Sequence, residues 1–74
     1  LGNLFYKMAR KDWKRTVKKS DYVVYRNKRN TKQVAVYRNI FMVLNLKTGQ
    51  NKNYQKKSML LALFTLDKYI GRNK

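Results

Sequence analysis

The sequence predicts a small α+β fold: a single domain spanning residues 1–74 with the element order helix, three-stranded antiparallel sheet, C-terminal core helix (α-β-β-β-α). Three observations carry that expectation. The apolar run from Ser58 to Gly71 has helical spacing, a central block from Tyr22 to Leu46 is rich in β-branched and aromatic residues separated by polar turns, and a basic amphipathic stretch precedes both.

The N-terminal stretch reads as a helix from an Asn3 N-cap to about Lys19. At about 100° per residue, Phe5, Tyr6, Ala9, Trp13 and Val17 gather on one side. Lys7, Arg10, Lys11, Lys14, Arg15 and Lys18 take the opposite arc. Trp13 is then the expected anchor against the C-terminal helix or the sheet. A basic arc of this kind suits a row of phosphates, and it also suits an anionic membrane surface.

Ser20 and Asp21 interrupt the helical pattern. Tyr22 to Asn27 and Val34 to Asn39 read as two strands joined through Lys28-Arg29-Asn30-Thr31. Ile40 to Leu46 reads as a third strand, in which Met42, Leu44 and Leu46 share a face and form the expected floor for the last helix. Tyr-Arg-Asn occurs at both 25–27 and 37–39. Strand alternation puts Arg26 opposite Tyr25 and Arg38 opposite Tyr37, so each strand offers a cation to one side and an aromatic ring to the other. Such a sheet can read base edges or stack bases; the plainer alternative is half-buried tyrosines beside solvated arginines.

Thr48-Gly49-Gln50 is a turn signal, with Gly49 supplying a positive φ. The segment from Asn51 to Lys57 is polar and basic and reads as a loop or an irregular edge strand. Lys52, Lys56 and Lys57 lie just before a helix N-terminus, where free backbone N–H groups and ammonium charges point the same way; phosphate contact is expected there above all. Ser58 is placed to cap the last helix and Gly71 to end it in the left-handed C′ position. Met59, Ala62, Leu63, Leu66 and Ile70 form its core face, widened by Leu60 and Phe64. Leu60, Leu61 and Phe64 cannot all face one thin sheet, which leaves a homodimer open.

Nineteen Lys and Arg against three Asp and Glu give a formal net charge of +16. Self-repulsion at that density destabilises a compact chain, and a polyanionic partner relieves it. The means of catalysis are sparse. His, Cys and Glu are absent, and Asp12, Asp21 and Asp67 have no spacing that suggests a shared metal, so neither enzymatic activity nor a metal or other cofactor is expected. The longest apolar run, Met59 to Phe64, is far shorter than the ~20 residues of a membrane-spanning helix. Abundant Lys, Asn and Tyr suggest an A/T-rich coding sequence, as in a low-GC bacterium, its phage, a plasmid or an organelle; Leu1 is not an initiator, so either a leader has been removed or Met8-Ala9-Arg10-Lys11 is the natural start.

The expected function is that of a cytoplasmic, non-catalytic nucleic-acid-binding protein, with DNA ahead of RNA. Arg26, Lys28, Arg29 and Arg38 would approach the grooves from the hairpin. Lys52, Lys56, Lys57 and the basic arc of Lys7, Arg10, Lys11, Lys14, Arg15 and Lys18 would hold phosphates. The alternatives are a membrane-active cationic protein and a phage effector that binds an acidic host protein.

The element order resembles that of double-stranded RNA-binding domains, and Lys56-Lys57 before the last helix is similar to the lysines placed there in that family. The family's Gly-Pro-x-His loop is replaced by Lys28-Arg29-Asn30-Thr31, and its Ala-Lys continuation by Ser58-Met59, so the resemblance is one of topology. The same order resembles small DNA binders of mobile elements whose three-stranded sheet enters the major groove.

Overall fold

A computed structural model describes residues 12–72. Five strands, β1 (Trp13–Lys18), β2 (Tyr22–Asn27), β3 (Lys32–Tyr37), β4 (Ile40–Asn45) and β5 (Asn51–Gln55), are followed by one helix, α1 (Met59–Arg72). The strands pair antiparallel with their sequence neighbours in the order β1-β2-β3-β4-β5. The fold class is thus α+β as expected, but the architecture is a five-stranded meander with a C-terminal helix, and the topological resemblance to RNA-binding domains does not hold.

The expected first helix is corrected. Its residues 1–11 lie outside the described residues, and Trp13–Lys18 is a strand. Trp13 and Val17, four apart, fit a helical stripe, but Thr16 and Val17 are β-branched and the segment pairs along the outer edge of β2. A register shift between Arg15 and Val17 inserts an extra residue, so that Arg15 pairs with Tyr25 and Val17 with Val24. Trp13 therefore joins the helix-side core, whereas Val17 lies on the opposite face.

Short polar turns set the meander. Asn27 Oδ1 accepts from the amides of Thr31 (2.8 Å) and Lys32 (3.0 Å), while its Nδ2 donates to Thr31 Oγ1 (2.6 Å). Asn30 in that turn has a φ of 56°. Asn45 Oδ1 likewise accepts from the amides of Lys47 and Thr48, and Gly49 takes the expected positive φ, 77°. Between β3 and β4 the turn is Arg38-Asn39, with Arg38 at a φ of 54°. Arg38 is therefore a turn residue and not the outward face of a strand.

Helix α1 lies across β3 and β4. Ser58 caps it as expected, its Oγ accepting from the Leu61 amide at 3.3 Å. Gly71 stays helical and does not terminate it. Ala62, Leu66 and Ile70 are buried against Trp13, Tyr25, Val34, Val36 and Phe41, with Met59, Leu63 and Tyr69 at the margin. Leu60 and Phe64 do not widen that face, being 74% and 57% exposed. The floor of the helix is Phe41 and Val43, the opposite parity to the expected Met42, Leu44 and Leu46. β4 is apolar on both faces, so its own pattern cannot choose. The choice is made by β3, where Val34 pairs with Val43 and Val36 with Phe41.

Candidate nucleic-acid interface

The register leaves one face of the sheet uncovered by α1. Across it run the rows Lys14-Arg26-Gln33-Leu44-Asn51 and Val17-Val24-Ala35-Met42-Asn53, followed by Tyr22-Tyr37-Ile40-Gln55. The twin Tyr-Arg-Asn motifs separate here. Tyr25 is 2% exposed under the helix, whereas Tyr37 is on the face away from α1 at 39%, edge-on to Tyr22 with ring centroids 5.9 Å apart. Arg26 and Tyr25 do point to opposite sides, as alternation requires.

At one end of this face the β2–β3 turn and the start of β1 enclose a recess of about 320 Å³, lined by Lys14, Thr16, Arg26, Asn27, Lys28 and Asn30. Local structure assembles it. The Lys28 amide donates to the Asp12 carbonyl at 2.9 Å, drawing the turn to β1, and Asn27 holds the turn closed. Arg26 is oriented by Gln33, whose Oε1 accepts from Nε at 3.2 Å and Nη2 at 2.9 Å. Among the described residues three cations, a hydroxyl and two amides line the recess, and no carboxylate does. That donor set suits an oxyanion with several acceptor oxygens.

A second basic group lies on the other side of the sheet. Because α1 covers β3 and β4, the inner side of β5 is left open, and a cleft of about 340 Å³ runs between it and the helix. Phe41, Val43, Lys52, Tyr54, Lys56, Thr65 and Tyr69 line it. The Phe41 and Tyr54 rings stack at 6.0 Å with an interplanar angle of 26°, and Tyr69 is tilted against Phe41 at 5.8 Å. Lys56 Nζ is 5.9 Å from the Tyr54 ring centroid.

The expected site residues thus divide into groups. Lys14, Arg26 and Lys28 converge at the recess, with Arg29 exposed in the adjoining turn. Lys52 and Lys56 face the cleft, while Lys57 is exposed ahead of α1. Arg15 and Lys18 pair with Tyr25 and Val23, which puts them on the helix side of the edge strand β1. Arg38 sits at the opposite end of the sheet from the recess, its Nε 3.7 Å from Asp21 Oδ2. Lys7, Arg10 and Lys11 lie outside the described residues. Composition gave no sign of Thr16, Asn27 and Asn30 as lining groups. Tyr54 did carry a signal, since Lys52-x-Tyr54-x-Lys56 sets a ring between two cations at a spacing of two.

Among the described residues no group of carboxylate, His or Cys side chains could hold a metal, and no helix is long and apolar enough to cross a membrane. No known family model, curated protein or solved structure matches the chain.

Proposed function

We propose that this chain is a non-catalytic nucleic-acid-binding domain that holds backbone phosphate in the Lys14-Arg26-Lys28 recess. The observation that carries the proposal is the convergence of three cations from β1, β2 and the β2–β3 turn on one hollow that no carboxylate lines among the described residues. Like charges brought together repel, and a bound polyanion turns that cost into affinity. The +16 of the whole chain supplies long-range attraction, and the recess supplies position.

The test is fluorescence anisotropy with labelled duplex DNA, duplex RNA and single strands across a salt series. With about six phosphates neutralised, log K falls against log salt with a slope near −5. Replacing Lys14, Arg26 and Lys28 together by alanine weakens binding and flattens the slope by roughly one unit per cation removed. A variant with an unchanged slope would falsify the assignment of the recess.

A second reading has one specific observation behind it. Leu60, Leu61 and Phe64 are exposed on the outer side of α1, and Lys68 Nζ lies 5.0 Å from the Phe64 ring centroid. An apolar patch edged by lysine suits the surface of an anionic bilayer. Co-sedimentation with anionic vesicles that disappears in Phe64→Ser would favour it.

A further inference from the structure

We infer that the cleft between β5 and α1 is a stacking site for an unpaired nucleobase, so that the preferred ligand is a single strand. This rests on the nucleic-acid reading and adds to it a second contact on the opposite face of the sheet.

The cleft is built differently from the recess. Tyr54 is 44% exposed although its ring stacks on Phe41. Phe41 itself is 3% exposed and locked among core side chains, and as the cross-strand partner of Tyr54 it holds that ring from one side. Tyr69 forms part of the far wall, anchored edge-on to Trp13 at 6.2 Å. A ring held in a fixed plane at a partly open surface is a platform on which a flat aromatic ligand stacks without further ordering of the protein.

Charge complementarity selects which flat ligand. Lys52, on β5, and Lys56, immediately after it, lie two residues to either side of Tyr54 and both line the cleft, with Lys56 Nζ over the Tyr54 ring at 5.9 Å from its centroid. A base stacking on Tyr54 takes the place over the ring that the flexible Lys56 side chain now holds, and the displaced Lys56 and Lys52 then meet the phosphates on either side of it. The cleft volume, about 340 Å³, falls within the range of about 300–1,000 Å³ found for small-ligand pockets. Lined by helix on one side and strand on the other, such a cleft admits one splayed base more readily than a stacked base pair, whose π-faces are already occupied. Thr65, on the helix wall, has its hydroxyl proton committed to the Leu61 carbonyl at 2.9 Å, so it offers a base no donor.

Anisotropy of labelled oligo(dT), oligo(U) and a blunt duplex of mixed sequence tests this, using the full chain, Tyr54→Ala, Tyr54→Phe and Lys52→Glu, with circular dichroism to verify folding. The inference expects Tyr54→Ala to lose roughly tenfold in affinity for the single strands, the size of one lost base–aromatic stack, with duplex binding nearly unchanged. Tyr54→Phe keeps the ring and retains affinity. Lys52→Glu, a surface change, weakens single-strand binding whether or not Tyr54→Ala folds. If the full chain binds duplex and single strands but the Tyr54 and Lys52 variants lose both equally, or neither, the stacking site is wrong while the phosphate recess survives. If the full chain binds no nucleic acid, both fall.

Discussion

Asn27 shows how much one side chain can organise. It closes the β2–β3 turn through three hydrogen bonds and simultaneously lines the cationic recess. Removing it leaves the amides of Thr31 and Lys32 without that acceptor. Asn27→Ala is therefore expected to cost about 1–3 kcal/mol in urea unfolding, and to weaken polyanion binding because Lys28 is no longer held beside β1. A loss of stability without any change in binding would place the turn outside the interface. Gly49 is a residue whose role was legible from its neighbours, since the turn demands a φ of 77° that only glycine adopts freely. Arg38 was not legible in that way. Nothing in an Arg-Asn pair announces a left-handed arginine, and the tight Tyr37–Ile40 closure imposes it.

Among the elements, α1 was the most readable, because fourteen residues of helical periodicity identify the face made by Ala62, Leu66 and Ile70. Leu66, 1% exposed, lies at its centre, and Leu66→Ala is expected to cost about 2–5 kcal/mol. Leu60→Ser, on the exposed side, should stay within about 0.5 kcal/mol of the parent. Equal losses in chemical denaturation would mean that the outer side is covered in solution, as in a homodimer. β1 and β5 were the least readable, and for different reasons. In β1 the spacing of Trp13 and Val17 fits a helix, and the bulge at Thr16 hides the strand alternation. β5 has no buried residue, so it lacks the apolar signal by which strands are recognised and exists because β4 offers it an edge.

At the scale of the whole molecule the charge dominates. A net +16 repels itself in the folded state, and salt screens that repulsion, the Debye length shrinking from ~30 Å at 0.01 M to ~3 Å at 1 M. Raising NaCl across that range is expected to raise the Tm of the free protein while weakening its binding to nucleic acid. A Tm that falls with salt would show that attractive pairs, such as Asp21–Arg38, outweigh the repulsion. Among the described residues the cations fall into separate groups. Those of the recess and those of the cleft lie on opposite faces of the sheet, so a ligand touching both must pass around an edge of the domain.

The sequence by itself determined the α+β class, the terminal helix with its Ser58 cap and buried stripe, the strand β2, the turn at Gly49 and the excess of positive charge. Each of these is written in local order, as a period, a cap, a turn residue or a sum. Only the tertiary structure decided that Trp13–Lys18 is a strand, that the sheet has five members, and that Phe41 and Val43 rather than Met42 and Leu44 face the helix. It also decided which lysines and arginines meet. The physical reason is the same in every case: an edge strand's pairing and the parity of a two-sided apolar strand are chosen by neighbours distant in sequence, through hydrogen bonds and cross-strand contacts that no local window contains.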